Sequence, residues 1–353
     1  MVNEDMNRKN TTNLFLLIIV IFAIGLFLKL ARSVLIPLLI ALLLTYIMDP
    51  LMILLRKYLP VWLSTVITSI VFLAVLGGFS ILFFINLAVI GRDFPLYQEA
   101  LLKQIQNLSM VLQGLVNTLL KQEFTIDLWG DLSTISIPGV VFSTARSTIS
   151  IFGIFLLVYL FAVLFLAAKY YLPTRLSRVF EQNKELNPNK IPAILHDIDT
   201  SLRRFIAVKT LISLLIGTLT ALTAFFFGVS YPIFWGLITF FLNYIPTVGS
   251  FFATIGLTLF TLAQFGDLPI VLAILLTSLV LQNITGSLLE PLVTRDTFNL
   301  SLLVVFVSLF FWGWLWGPAG ILLAVPMTTS IKVILENIPS TAKLAVLLER
   351  SRN

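Results

Sequence analysis

Residues 232–265 read PIFWGLITFFLNYIPTVGSFFATIGLTLFTLAQF, without one charged side chain. The run from Pro232 to Ile245 is about 14 residues, which as a helix covers roughly 21 Å, short of a ~30 Å hydrocarbon core. Pro246-Thr247-Val248-Gly249-Ser250 then interrupts it. Proline has no amide donor and glycine no side chain to favour helix, so the backbone is expected to turn or unwind before the second run, Phe251 to Phe265. The plan recurs in a second stretch, 300–335. There Leu300 to Trp316 is followed by Gly317-Pro318-Ala319-Gly320 and then by Ile321 to about Ile334. In hydrocarbon an unwound backbone is tolerated only where protein buries it or water reaches it, so a broken apolar helix points to a site.

The rest of the chain explains why hydrocarbon is the relevant solvent. Of 353 residues 58% are hydrophobic and only 11% charged, and the mean hydropathy is +1.02. Apolar runs long enough to cross a bilayer recur along most of the length, leaving little material for a water-soluble enzyme core. The runs are continuous, with Leu, Ile, Phe and Val on every face, whereas a transmembrane barrel alternates in segments of ~10 residues. The expected fold is an all-α polytopic membrane protein. It has about six full transmembrane helices plus two broken, re-entrant helical hairpins. The helices are read at Leu14–Leu30, Val34–Met48, Val61–Ile90, Ile149–Ala168, Leu211–Phe227 and Ile270–Leu289. The second is expected to end at Asp49-Pro50, because proline disfavours helix in the residue before it.

Lys and Arg set the orientation, since short cytoplasmic loops retain positive charge. Residues 169–209 hold Lys169, Arg175, Arg178, Lys184, Lys190, Arg203, Arg204 and Lys209, read mainly as anchors at the inner face. Residues 92–146 hold four basic residues against five acidic ones and face out. Both termini fall on the cytoplasmic side of a bacterial plasma (inner) membrane. This organises the chain as helices 1–3 in 1–91, an extracytoplasmic amphipathic segment in 92–147, and helix 4 with a basic loop in 148–206. A transport core over 207–337 and a cytoplasmic tail over 338–353 follow. The fifth helix with 232–265 and the sixth with 300–335 then have opposite orientations, the inverted-repeat plan of many secondary transporters. The alternative is that each broken stretch makes two full crossings.

Candidate pathway residues are the polar and helix-breaking positions of this core: Asn243, Pro246, Gly249, Ser250, Gln264, Gln282, Asn283, Glu290, Gly317, Pro318 and Gly320. Glu290 is the candidate coupling carboxylate, able to carry a proton or meet a cation, or else to pair with Arg295 at the inner interface. Trp312, Trp314 and Trp316 read as an interfacial belt, with a role at the hairpin tip as the alternative. In the outward segment Leu101, Ile105, Leu108, Leu112, Leu115 and Leu119 form a heptad stripe. It suits self-association, packing on the chain's own helices, or the bilayer surface. Zero cysteines exclude disulfides and thiolate metal sites, and the lone His196 and the absence of any Gly-Lys pair exclude the common metal and P-loop motifs. Neither cofactor, metal nor nucleic acid is expected, and the partners are the lipid bilayer and a small polar solute or monovalent cation.

Several of these residues also carry a resemblance. Leu242-Asn243-Tyr244-Ile245-Pro246-Thr247-Val248-Gly249, Glu290-Pro291 and Leu300-Ser301-Leu302-Leu303-Val304-Val305 resemble the AI-2E family of bacterial membrane transporters. So do Phe311-Trp312-Gly313-Trp314-Leu315-Trp316-Gly317 and Leu322-Leu323-Ala324-Val325-Pro326. The chain departs from the family at Arg295, near Asn299 and at Leu302, where glycine, glycine and proline are usual. The resemblance implies membrane transport and a homo-oligomer, which would give the heptad stripe a use. The expected function is a secondary or facilitative transporter exporting a small polar solute such as autoinducer-2. A sodium (lithium)/proton antiporter using Glu290 is the alternative within transport, and a non-transporting membrane scaffold or regulator the alternative outside it. An enzyme is not expected, because no acid, base and nucleophile set converges.

Overall fold

A computed structural model describes residues 19–20, 22–120, 148–171, 190–245, 248–289, 300–338 and 341–348. The described chain is a succession of helices. A helical segment over 22–30 meets α1 (Arg32–Leu55) at the single residue Ala31, with φ −78° and ψ 2°. Next come α2 (Val61–Leu120), α3 (Thr148–Lys169), α4 (Lys190–Phe226), α5 (Pro232–Leu242) and α6 (Val248–Phe265). α7 (Leu268–Asn283) runs into a π-helical turn, Ile284–Leu289, and α8 (Leu302–Trp316), α9 (Pro318–Asn337) and α10 (Ala342–Leu347) complete the order.

Six of these helices are long and apolar enough to cross a membrane: Arg32–Leu55, Val61–Asp93, Ala193–Phe226, Val248–Phe265, Leu268–Gly286 and Pro318–Asn337. The polytopic all-α architecture therefore holds, with boundaries that differ from the sequence reading for physical reasons. α1 continues through Pro50 to Leu55. The proline deprives only the Tyr46 carbonyl of its helical donor, a loss that membrane helices absorb. α2 is 60 residues long, about 90 Å at 1.5 Å per residue, so the third span continues into the outward segment without a break. Leu101 is half-buried there. The side chains of Ile105, Leu108, Leu112, Leu115 and Leu119 lie outside the described set, as do residues 121–147.

The broken stretches differ most. Each is a short arm packed against a long one: α5 has 11 residues and α6 18, α8 has 15 and α9 20. The long arms cover about 27 and 30 Å, enough to span alone, while α5 covers only about 16 Å. The second arms start before the expected Phe251 and Ile321 because residues 248–250 and 318–320 form their first turns, and the later one also runs past Ile334 to Asn337. Pro318 is tolerated there, where the missing amide has no helical partner to lose.

The chain divides into two compact units, and each hairpin belongs to one of them. Met1–Thr65, Ile154–Phe205 and Asp296–Asn353 form one unit, and Val66–Gly153 with Ile206–Arg295 the other. In the latter, Ala224, Val229, Phe234, Trp235, Leu257 and Ile274 make a buried apolar cluster. Phe83 of α2 stacks on Phe234 with centroids 5.7 Å apart, and Trp235 meets Phe260 at 5.3 Å.

Candidate functional site

In the unit holding α5 and α6, the end of α5 concentrates polar groups at an apolar crossing. Asn243 Nδ2 donates to Ser213 Oγ of α4 at 3.0 Å, and the Tyr244 and Thr210 hydroxyls are 2.8 Å apart. Thr210 also donates to the Ile206 carbonyl at 2.7 Å, which fixes its rotamer. α4 presents these partners because Ile206, Lys209, Ile212, Ser213, Ile216 and Thr220 form one buried face at helical spacing. The return arm starts so close that a Cβ on Gly249 would run into the Leu242 carbonyl. Ser250 follows, half-buried in the first turn of α6. At the other end of this unit, the Tyr231 hydroxyl donates to Asp93 at 2.5 Å. Burial, then this bond and the Asp93 charge, raise the Tyr231 phenol above its usual pKa.

The second hairpin uses the same device. Gly317 alone makes the turn, at φ 64° and ψ −144°, a conformation in which any side chain is strained. A Cβ on Gly320 would meet the Trp312 carbonyl, as one on Gly249 meets that of Leu242. The tryptophans divide by helical phase. Trp312 and Trp316 are 4% and 5% exposed with rings 5.0 Å apart, while Trp314 is 73% exposed. Trp312 Nε1 donates to Thr328 at 3.2 Å, and Trp316 Nε1 donates to the carbonyl of Leu28 at 3.0 Å, near the bend at Ala31. Only Trp314 keeps the character of a belt residue, beneath Lys29 at 5.4 Å. Further along α9, buried Lys332 pairs with Glu336 at 2.8 Å.

A family model described as AI-2E family transporter matches residues 16–340. The chain belongs to the AI-2E transporter family. It is 30% identical over 331 residues to the "AI-2 transport protein TqsA" of Escherichia coli (strain K12), covering 91% of this chain and 90% of that protein. A "Putative transport protein" of Haemophilus influenzae is 29% identical over 333 residues, 91% of each chain. A protein of the same name from Borreliella burgdorferi is 33% identical over 155 residues, spanning 44% of this chain and 43% of that relative. Family and names point to transport rather than to catalysis.

Within this AI-2E transporter the expected pathway residues do not all gather. Asn243, Gly249 and Ser250 share the first tip, and Gly317, Pro318 and Gly320 share the second. Gln264 lies 15 residues along α6 from Gly249, about 22 Å away. There it accepts from the Ser230 amide at 2.8 Å and donates to the Gly228 carbonyl at 2.9 Å, clipping the turn between α4 and α5. Gln282 is half-buried, and exposed Asn283 donates back to Leu279 at 2.8 Å, just before the π-helical turn. Pro246 and Glu290 lie outside the described residues.

The AI-2E transporter also pairs two of the cations that the sequence reading assigned to anchoring with a buried carboxylate. Asp49, 0% exposed, is met by Lys169 at 2.8 Å, Arg203 at 3.2 Å and the Tyr170 hydroxyl at 2.6 Å. Asp199 closes the network with Lys169 and Arg203 at 2.8 and 2.9 Å. Arg203 Nε forms no directed hydrogen bond among the described residues although it is within ion-pair distance of Asp49, so that contact is coulombic. Burial, reinforced by the bond to Asp49 and its charge, raises the Tyr170 pKa and keeps the phenol a donor. The network ties the ends of α1 and α3 to the start of α4, which makes Lys169 and Arg203 structural cations rather than headgroup anchors. The four-residue spacing of Asp199 and Arg203 was its one legible sign. Lys209, read with the anchors, and Lys332 are also buried.

Proposed function

We propose that this AI-2E transporter exports a small polar solute such as autoinducer-2 by a secondary or facilitative route across the bacterial plasma membrane, with both termini cytoplasmic. The observation that carries this reading is the first hairpin tip, where Asn243 and Tyr244 bond to Ser213 and Thr210 on an α4 face that also buries Lys209 among apolar side chains. Polar groups in such surroundings are kept where they pair with each other or handle a polar cargo. The similarity to a protein named for AI-2 transport supports the choice of solute.

The test is efflux of autoinducer-2 from loaded proteoliposomes containing the purified full chain. Efflux above protein-free vesicles, reduced by Asn243→Leu, is expected. Efflux equal to the protein-free control overturns the solute assignment. Proton movement driven by a sodium or lithium gradient, with no autoinducer-2 efflux, favours the antiporter instead.

A further inference from the structure

The short arm α5 and its C-cap carry polar residues four apart, Trp235, Thr239 and Asn243, on one side of the helix. Asn243 is bonded to Ser213. The other two are not: among the described residues Trp235 Nε1 and Thr239 Oγ1 have no hydrogen-bond partner, although the residues are only 8% and 1% exposed. Each fact departs from a habit of this molecule. Threonines 210, 218, 223, 258, 261 and 285 all turn their hydroxyls onto the carbonyl four residues back. Trp312 and Trp316, equally buried, both donate. A buried polar atom left without a partner is costly, so two adjacent ones on a helix that could satisfy at least one locally call for a partner that comes and goes.

We infer that Trp235 Nε1 and Thr239 Oγ1 form a binding position for a small, uncharged solute bearing hydroxyl or carbonyl oxygens, inside the unit that holds the first hairpin. The indole can only donate, so it selects an oxygen acceptor, and the hydroxyl can donate or accept. None of the three stripe residues is ionisable, and an ion would forfeit its hydration for a pair of neutral groups. The stripe extends about 12 Å from Trp235 to the tip at Asn243, so a solute bound at its middle is one helical turn from either end. Trp235 packs on Phe260, and a Cβ on Gly256 would approach its ring at 3.2 Å, which holds the indole in place. This inference rests on the transport reading above and adds a binding position that narrows its solute to uncharged, oxygen-bearing molecules.

The test compares wild type with Thr239→Val, which removes the hydroxyl at constant shape, Thr239→Ser, which restores it, and Trp235→Phe. Two probes are used, autoinducer-2 and the neutral tetrol erythritol, each as flux through proteoliposomes, with thermal unfolding of the same proteins. Thr239→Val is expected to lower flux about tenfold, the worth of one good hydrogen bond. Thr239→Ser should recover most of it, Trp235→Phe should lower it, and the unfolding temperature of Thr239→Val should be unchanged or raised. If erythritol flux depends on Thr239 while autoinducer-2 shows no flux, the solute assignment falls and the binding position stands. Flux of both probes that is absent or indifferent to Thr239→Val overturns the binding position. So does a fall in the unfolding temperature of Thr239→Val with flux preserved, because the hydroxyl would then serve a permanent partner such as a trapped water.

Discussion

The two hairpins share a construction and differ in what they leave unsatisfied. Each places a glycine, Gly249 or Gly320, against a carbonyl of its short arm, and each buries tryptophan in that arm. In the second hairpin both buried indoles are bonded, one of them to the long arm itself through Thr328. In the first, the Trp235 indole and the Thr239 hydroxyl have no hydrogen-bond partner among the described residues. The second hairpin also has an unbonded hydroxyl, that of Thr329, three residues from the Lys332–Glu336 pair, but it stands on the long arm and its tryptophans are closed. One packing solution thus serves two ends: a glycine lets two backbones touch, and the polar atoms around that contact decide whether the hairpin is a sealed element or a receptive one.

The common construction is tested by Gly249→Val and Gly320→Val. A side chain driven into a backbone carbonyl cannot be relieved by a rotamer change, so each variant should lose about 3 kcal/mol or more, seen as loss of folded protein in detergent. Tolerance of one and not the other would show that the shared device is not equally needed. The unit containing the second hairpin is further braced by Asp49. Asp49→Ala should strand Lys169 and Arg203 and cost about 3 kcal/mol, the low end for a buried pair because Arg203 reaches solvent. A loss below about 1 kcal/mol, measured by chemical or thermal unfolding, would mean that Asp199 suffices for both cations.

The difference between the hairpins is sharpened by a matched pair. Trp312→Phe deprives Thr328 of its donor, whereas Trp235→Phe removes an indole nitrogen that bonds to none of the described residues. Trp312→Phe should therefore be the less stable of the two by about 1 kcal/mol. Equal losses would place an unseen partner on Trp235. The smallest effect is expected at Lys29→Gln, where an exposed cation leaves the Trp314 ring and no more than about 1 kcal/mol is lost. A larger loss would mark Trp314 as more than a surface residue.

The hairpins could be located from the sequence because proline and glycine weaken a helix locally, here at Gly249, Pro318 and Gly320. Their arm lengths could not, since the same residues can end one helix or begin the next, and here they begin it. Pro50 misled for a related reason. Its local effect predicts a stop, yet α1 runs seven residues past Met48 to Leu55, because losing a single backbone bond is tolerable in a packed membrane helix. Gln264 looked like a ligand on polarity alone, and its place at the far end of α6 makes it a clip on the neighbouring turn. Lys169 and Arg203 looked like anchors because positive charge near a membrane is the commoner case.

Composition and apolar run length by themselves determined that this is a helical membrane protein, and the quoted motifs determined its family. Both depend on sums over many residues or on short local patterns, which survive without knowledge of neighbours. Only the tertiary structure decided that Asp49 gathers Lys169, Arg203 and Tyr170, that Trp312 and Trp316 are bonded, and that Trp235 and Thr239 are not. Whether a buried polar atom is satisfied depends on directed contacts within ~3.5 Å from residues remote in the chain, and no pattern along the chain records them.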